Sequence, residues 1–395
     1  MRYTPVVALA VLAASGLSAM EISVPDKDLK LSIGARLQVR AEYAQADNAD
    51  GDRIDIWTGK TASTDPSKHE DINEVNLMLR RGRLWMDAWY QDWAHLHVQL
   101  ATDKTGASSS GNEKTAPEVY YFYGDAIISK DDDYTQSLRM GRFCRWMAVA
   151  SFDSNGGYLL PTSRPTASFD VDPFALGVSY LIDAKDKRWF GEVGVVEGEG
   201  ADTATVNNND SNDWCTYARV QFLLAGDAAN HSRSRNESFL GKTGSSLIGG
   251  LAGALRSDGN GDGDAAKTVT ADLLAHYNAW TSNLDLVWRD QEMATAKNTK
   301  QWVASVQAGY AIPLESGKII EFGGRVTRID MDNANDHEKG IYRDDGGASG
   351  WYVEAGPNLY LRGFSHKIQA SVGTFTPEAG KGDAIIARLQ YQIAF

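Results

Sequence analysis

Cysteine is nearly absent. Cys144 and Cys215 are the only two in 395 residues, too few for a disulfide framework, and both fall in predicted strands that need not be neighbours. Proline is scarce too, ten residues against 38 glycines, which suits many strands joined by glycine-rich turns. Past the first twenty residues there is no long apolar run, so no helix of the chain is built to cross a bilayer. Positive charge is in deficit: 39 Lys and Arg against 52 Asp and Glu give a net charge of −13, which argues against a nucleic-acid partner. Histidine numbers only seven. With no G-x-S-x-G and no H-E-x-x-H pattern, nothing proposes an activated nucleophile or a zinc protease, so no enzyme is expected.

What is present begins with MRYTPVVALAVLAASGLSAM. One Arg, an apolar stretch from Val6 to Ala14 and small residues around Ser18 and Ala19 have the layout of a secretory signal peptide over 1–19. Residues 20–395 then read as one domain, without a linker.

The dominant signal is a period of two. In LKLSIGARLQVRAEY, Leu29 to Tyr43, every odd position is apolar and every even one polar or Gly. At about 3.4 Å per residue such a strand reaches roughly 50 Å, enough to cross a membrane at a tilt. Trp214, Thr216, Ala218, Val220 and Phe222 alternate with Cys215, Tyr217, Arg219 and Gln221, and Trp302 to Ile312 repeats the pattern. About sixteen such segments follow one another, among them 72–90, 92–103, 135–150, 239–255 and 383–395. Tight turns near 90–92, 185–187 and 278–280 alternate with long polar connections at 44–71, 104–116, 199–212, 256–266 and 331–349. The last strand, RLQYQIAF, keeps its alternation to Phe395.

These features predict an all-β fold: a closed antiparallel transmembrane β-barrel of about 16 strands, with short turns at one end and long loops at the other. Closure pairs the last strand with the first and leaves no free edge. Phe395 then faces lipid at the boundary. The alternative is a secreted soluble β-rich binding protein or enzyme, but its strands would be shorter and its loops would lack this asymmetry.

Three motifs have a chemical and a bland reading. GKT at Gly241 lacks the earlier glycine of a phosphate loop, because position 236 is Asn. Asp258, Asn260 and Asp262 occupy calcium-loop positions, but Val269 stands where a bidentate carboxylate is required. A solvated turn is the expectation there, with weak Ca2+ binding left open and no other cofactor. His95 and His97 share one strand face, with no third metal ligand identifiable; polar lining residues are the expectation.

Arginine carries more. Strand phase puts Arg36, Arg40, Arg219, Arg289 and Arg388 on the polar, lumen-facing side. Arg139, Arg142 and Arg145 lie in one segment ahead of the 155–172 loop. The phase slips near Gly82 and leaves Arg80, Arg81 and Arg83 unplaced. Two readings follow: a ring of arginines favouring anions, or arginines neutralised by Glu42, Asp213 and Asp285.

VNLMLRRGRLWMDAWYQDWAHLHVQLATD, Val75 to Asp103, resembles the phosphate-selective porin (O and P) family of Gram-negative outer membranes, through Arg80, Arg81, Arg83, Leu84, Asp92 and Trp93. EVYYFYGDAII, LRMGRF, VTADLLAHYNAWTSNLDLVW and RLQYQIAF are similar to further strands of that family. The resemblance implies an outer-membrane porin in contact with lipid, a homotrimer, and passive diffusion of small hydrophilic or anionic solutes. It also implies a constriction loop near 150–172, in which Arg164 is the cation, and Phe395 as the assembly signal. GRFCRWMAVASF departs from the family's Gln-Phe-Lys and Pro-Phe stretch at that place, so phosphate-type selectivity does not carry over with the fold. The expectation is a mild anion preference set mainly by Arg139, Arg142 and Arg145, together with Arg36 and Arg40.

Overall fold

The computed structural model describes residues 20–24, 28–46, 72–105, 117–145, 147, 157–161, 174–197, 214–231, 237–257, 265–292, 299–331, 349–378 and 384–395. They form seventeen strands: β1 (Met20–Val24), β2 (Leu29–Ala46), β3 (Ile72–Tyr90), β4 (Ala94–Thr105), β5 (Glu118–Lys130), β6 (Tyr134–Cys144), β7 (Phe174–Ala184), β8 (Trp189–Glu197), β9 (Trp214–Gly226), β10 (Ser245–Arg256), β11 (Ala265–Tyr277), β12 (Trp280–Glu292), β13 (Thr299–Pro313), β14 (Ile319–Met331), β15 (Gly350–Arg362), β16 (His366–Pro377) and β17 (Ala384–Ala394). From β2 to β17 each strand pairs antiparallel with the next, and β17 pairs with β2 from Ala384 opposite Ala46 to Ala394 opposite Arg36. The result is a closed sixteen-stranded barrel, as the alternation predicts. At its seam Phe395 N donates to Ala35 O (2.9 Å) and Ala35 N to Phe395 O (2.7 Å). Phe395 is thus a ladder residue. β1 is an addition that the alternation did not reveal. It pairs with Leu29–Ile33 of β2, the stretch of edge beyond the end of β17.

The two faces are inverted relative to a soluble core. On β9, Trp214, Phe222 and Leu224 are exposed on the outer face, whereas Cys215, Tyr217, Arg219 and Gln221 are buried inside. Leu251, Val306, Phe322, Val353 and Leu389 extend the apolar exterior around the wall, and Phe395 belongs to it. Gln38, Ser179, Asn283, Asp285, Ser305, Gln307 and Gln390 fill the interior. An exterior of this kind is stable only against hydrocarbon, and a charge placed on it would cost about 2–4 kcal/mol at mid-membrane. The barrel is therefore of the outer-membrane type, and the soluble alternative fails on its exterior.

Two boundaries differ from the sequence reading, both for one reason. The segment 135–150 leaves the wall after Cys144, and the segment 239–255 joins it only at Ser245. In each case the chain turns into the lumen and packs against the inside of the wall instead of pairing in it. Backbone twist marks the second case: Leu240, Gly241 and Gly244 have φ of 52°, 67° and 120°, which breaks a ladder. Residues 1–19, Arg164 and the Asp258–Asp262 cluster lie outside the described residues.

Candidate functional site

The lumen is crossed by chain. After β6, Arg145 is buried and its Nη1 donates to Cys215 Sγ at 2.8 Å. The carbonyl of Met147 accepts from Arg219 Nη1 (3.0 Å) and from Thr270 Oγ1, on β9 and β11. The Met147 side chain enters an interior apolar cluster with Phe143, Tyr121, Tyr217, Cys215 and Val196. Cys144 and Cys215 are both free thiols.

Further along the same connection, Gly157–Pro161 sits buried against the opposite wall. Lys367 Nζ and Gln369 Nε2 donate to Tyr158 O (2.9 and 3.0 Å), Asn358 Nδ2 donates to Leu159 O (2.6 Å), and Arg40 Nη2 donates to Pro161 O. The Arg81 guanidinium lies over the Tyr158 ring at 5.6 Å. Leu159 has no exposed surface and rests on a glycine pair, Gly309 opposite Gly323 on β13 and β14. A Cβ at either glycine would stand 2.8 Å from a Leu159 side-chain carbon, so only glycine leaves this seat open. Gly157–Pro161, the described part of the 150–172 segment, thus lies buried inside the barrel.

A second inward segment has no counterpart in the sequence reading. The β9–β10 connection lies at the short-turn end, yet its residues 237–239 enter the lumen and meet the loop tip from below. Glu237 N donates to Gly157 O (3.0 Å), and Glu237 Oε2 accepts from Leu159 N (2.9 Å) and Gln307 Nε2 (2.8 Å). Ser238 Oγ donates to Glu321 Oε1 at 2.6 Å, and Phe239 stacks on His276 with centroids 4.5 Å apart. The loop tip is therefore held from both ends of the barrel. No sequence signal marked Glu237, since its partners are 70 or more positions away.

The arginines sort by phase. Arg36, Arg40, Arg139, Arg219, Arg289 and Arg388 are on lumen-facing positions, and Arg145 is inside beyond the strand end. Arg81 and Arg83 join them, both buried; a bulge at Arg80 between paired positions 79 and 81 accounts for the phase slip. Arg142 is the correction. It falls on the outer face with Leu138 and the exposed Met140, beside Phe122, and its Nε donates to Val119 O at 3.1 Å. Residues 139 and 142 differ by an odd number, so a regular strand cannot turn both inward. Two residues from the loop end of β6, Arg142 can lift its charge towards the interface.

Most of the inward arginines with described contacts are paired, as the neutralising reading expects. Arg219 makes a bidentate pair with Asp272 (2.6 and 2.9 Å), Arg388 Nε meets Glu42 at 2.7 Å, and Arg139 grips Asp125 at 2.7 and 3.0 Å. Asp213 lies outside the described residues, and Asp285 is buried in the wall. Arg36 and Arg83 face one another across β2 and β3, with Trp85 at 5.7 Å from the first and Tyr120 at 3.8 Å from the second. His95 and His97 face the lumen beside Asp87, which the strand register supplies.

No protein-family model matches this sequence, and no curated protein matches it either. The fold is similar to that of the outer membrane channel DcaP of Acinetobacter baumannii, with a TM-score of 0.54 and 11% identity over 95% of this chain and 99% of that one. It is similar to an anion-selective porin from Comamonas acidovorans, with a TM-score of 0.52 and 10% identity over 92% of this chain and 100% of that one. It is also similar to the in-vitro folded trimer form of OmpT from Vibrio cholerae, with a TM-score of 0.51 and 10% identity over 92% of this chain and 99% of that one. Likeness at this level carries the barrel and nothing finer; it gives no support to phosphate selectivity in particular.

Proposed function

We propose that this chain is a Gram-negative outer-membrane porin that lets small hydrophilic solutes and ions diffuse passively through its lumen, without a catalytic cycle. The observation that carries the reading is the inverted barrel with a loop tip latched across its polar interior. Such a loop narrows a channel without closing the wall around it. The tip leans on β13–β16 and β2 and reaches Arg81 of β3, so the path follows the β4–β6 wall and the turn end of β3, where the side chains of Asp87, His95, His97, Asp125 and Arg139 keep 14–20% of their surface exposed. A homotrimer fits the same reading, as in the trimer form of the V. cholerae protein. Planar-bilayer recording tests it: stepwise, ohmic conductance is expected, and a silent bilayer at adequate protein points instead to a structural or adhesive barrel.

Mild anion preference is part of the proposal, resting on the lumen-facing arginines, Arg36 and Arg83 among them, rather than on Arg142. In watery surroundings one charge at about 4 Å is worth about 1 kcal/mol, roughly a fivefold change in local ion concentration. Charges further than a Debye length of about 8–10 Å from an ion in the lumen are screened, so the net charge of −13 counts for less than the nearest side chains. Changing Arg36 and Arg83 together to Gln should move the zero-current potential in a salt gradient to the cation side. R142Q should leave it unchanged, because that side chain faces outward. A parent channel that already prefers potassium over chloride would remove the anion assignment and keep the porin.

A further inference from the structure

On the β3–β5 wall, one carboxylate and two imidazoles converge. His95 and His97 are two apart on β4 and so share its inner face. The hairpin pairs Tyr90 with Ala94, which sets Asp87 opposite His97. Asp87 Oδ1 lies 3.0 Å from His95 Nε2 and 2.7 Å from His97 Nδ1, and the three ligand atoms all fall within 4.8 Å of one another. A metal ion with bonds of about 2.1 Å separates adjacent ligand atoms by about 3 Å. Both Asp87–imidazole distances are therefore already those of neighbours in one coordination sphere, and the two ring nitrogens, within 4.8 Å of each other, need only draw together on the ion.

The surroundings add what a lone histidine pair lacks. The other nitrogen of His95, Nδ1, is 3.3 Å from Asp125 Oδ2. Asp125 is itself fixed by Arg139 through Nε (2.7 Å) and Nη2 (3.0 Å), and the Arg139 guanidinium stacks on Tyr123 at 4.2 Å. Trp89 stacks on the His95 ring with centroids 4.9 Å apart and an interplanar angle of 15°. A carboxylate behind a ligating imidazole sets its tautomer and its angle. The side chains keep 14–20% exposure to the lumen, which leaves room for water to complete the coordination.

We propose that Asp87 Oδ1, His95 Nε2 and His97 Nδ1 bind one borderline divalent transition ion of the Zn2+, Cu2+ or Ni2+ class, with Asp125 and Arg139 as positioning residues for His95. Two imidazoles and one carboxylate favour these ions over the all-oxygen sites of Ca2+ and Mg2+. A hydrogen-bonded cluster without a metal would share these distances; the metal reading adds that the ion displaces the protons between them. The inference needs the lumen placement of this wall but no ion flow through it, so it stands or falls separately from the channel reading.

The test is calorimetric titration of Zn2+ into the full chain in detergent at pH 7.5, in two buffers of different ionisation enthalpy. One ion per chain with proton release is expected. D87N and H97A should each weaken binding at least tenfold, and D125N ten- to hundredfold, with partial recovery in Asp125→Glu. Loading the parent protein with Cu2+ needs no variant: its spin-resonance spectrum should show coupling to two nitrogens. Absence of binding at millimolar Zn2+, undiminished binding in folded D87N and H97A, or a copper spectrum without nitrogen coupling would each overturn the proposal.

Discussion

Glu354→Ala is expected to destabilise the folded barrel by about 3–5 kcal/mol, the usual cost of removing one partner from a buried charge pair. Glu354 is fully buried on the inner face of β15. Its Oε2 accepts from Arg325 Nη2 and from Tyr352 Oη (2.7 Å), and its Oε1 accepts from Ser371 Oγ (2.6 Å) and lies 3.6 Å from Arg388 Nη1. Alanine would remove the carboxylate that two buried guanidiniums share, while Arg388 keeps Glu42. The urea midpoint of the detergent-refolded protein, followed by circular dichroism, measures the loss. E354M combined with R325M should lose less than E354A alone, because an uncharged pair strands no ion. If E354A unfolds at the same urea concentration as the parent, the network is not what holds this side of the wall.

The second large effect is on conductance. Leu159→Ala removes the side chain seated on Gly309 and Gly323, and buried Leu-to-Ala changes cost about 2–5 kcal/mol. Spent on docking of the loop tip, even the lower figure raises the undocked fraction about 30-fold. Gly323→Val reaches the same end from the other side, since any Cβ there meets Leu159 Cγ at 2.8 Å. β-branched residues suit a strand, so the wall itself should fold. Single-channel records of both variants should show frequent steps to a higher conductance level than the parent reaches. A current trace identical to the parent in both would mean that the tip does not limit flow. Glu237→Gln, which weakens the hold on Leu159 N from the other mouth, should act in the same direction but less.

The metal proposal touches the same path. The Asp87, His95 and His97 cluster lies on the wall that the tip leaves open, so a bound ion there would add positive charge beside Arg139. Zinc block or current reduction that disappears in H97A would link the two observations.

Much of this was legible in the residues. Leu29 to Tyr43 alternates because one face must meet hydrocarbon and the other water, and that constraint is local: it fixes which side of the wall each side chain takes. It puts Arg36, Arg40, Arg219, Arg289 and Arg388 on the inner face, where their side chains lie in the structure, and the ladder to Phe395 announced closure. Arg388 with Glu42 followed from the same phase, because the last and first strands must be neighbours in a closed barrel. Where phase was set aside, as at Arg142, the reading went wrong. The carboxylate beside His95 and His97 was one residue of register away: a turn at 90–92 sets Asp87 opposite His95, and the turn the structure shows at 91–93 sets it opposite His97.

The contents of the lumen were not legible in this way. Leu159 meets Asn358, Gln369, Gly309 and Glu237, residues brought together by curvature of the whole sheet rather than by the pairing of any two strands. Period two says that a residue faces inward, but not how far across the barrel it reaches or which segment fills the space. The sequence by itself determined the wall: strand number, facing and closure, because each follows from local alternation against two solvents. Only the tertiary structure decided the constriction, the latch of Glu237 on the loop tip and the pairing of most arginines, because these depend on distances across a closed ring that no strand encodes alone.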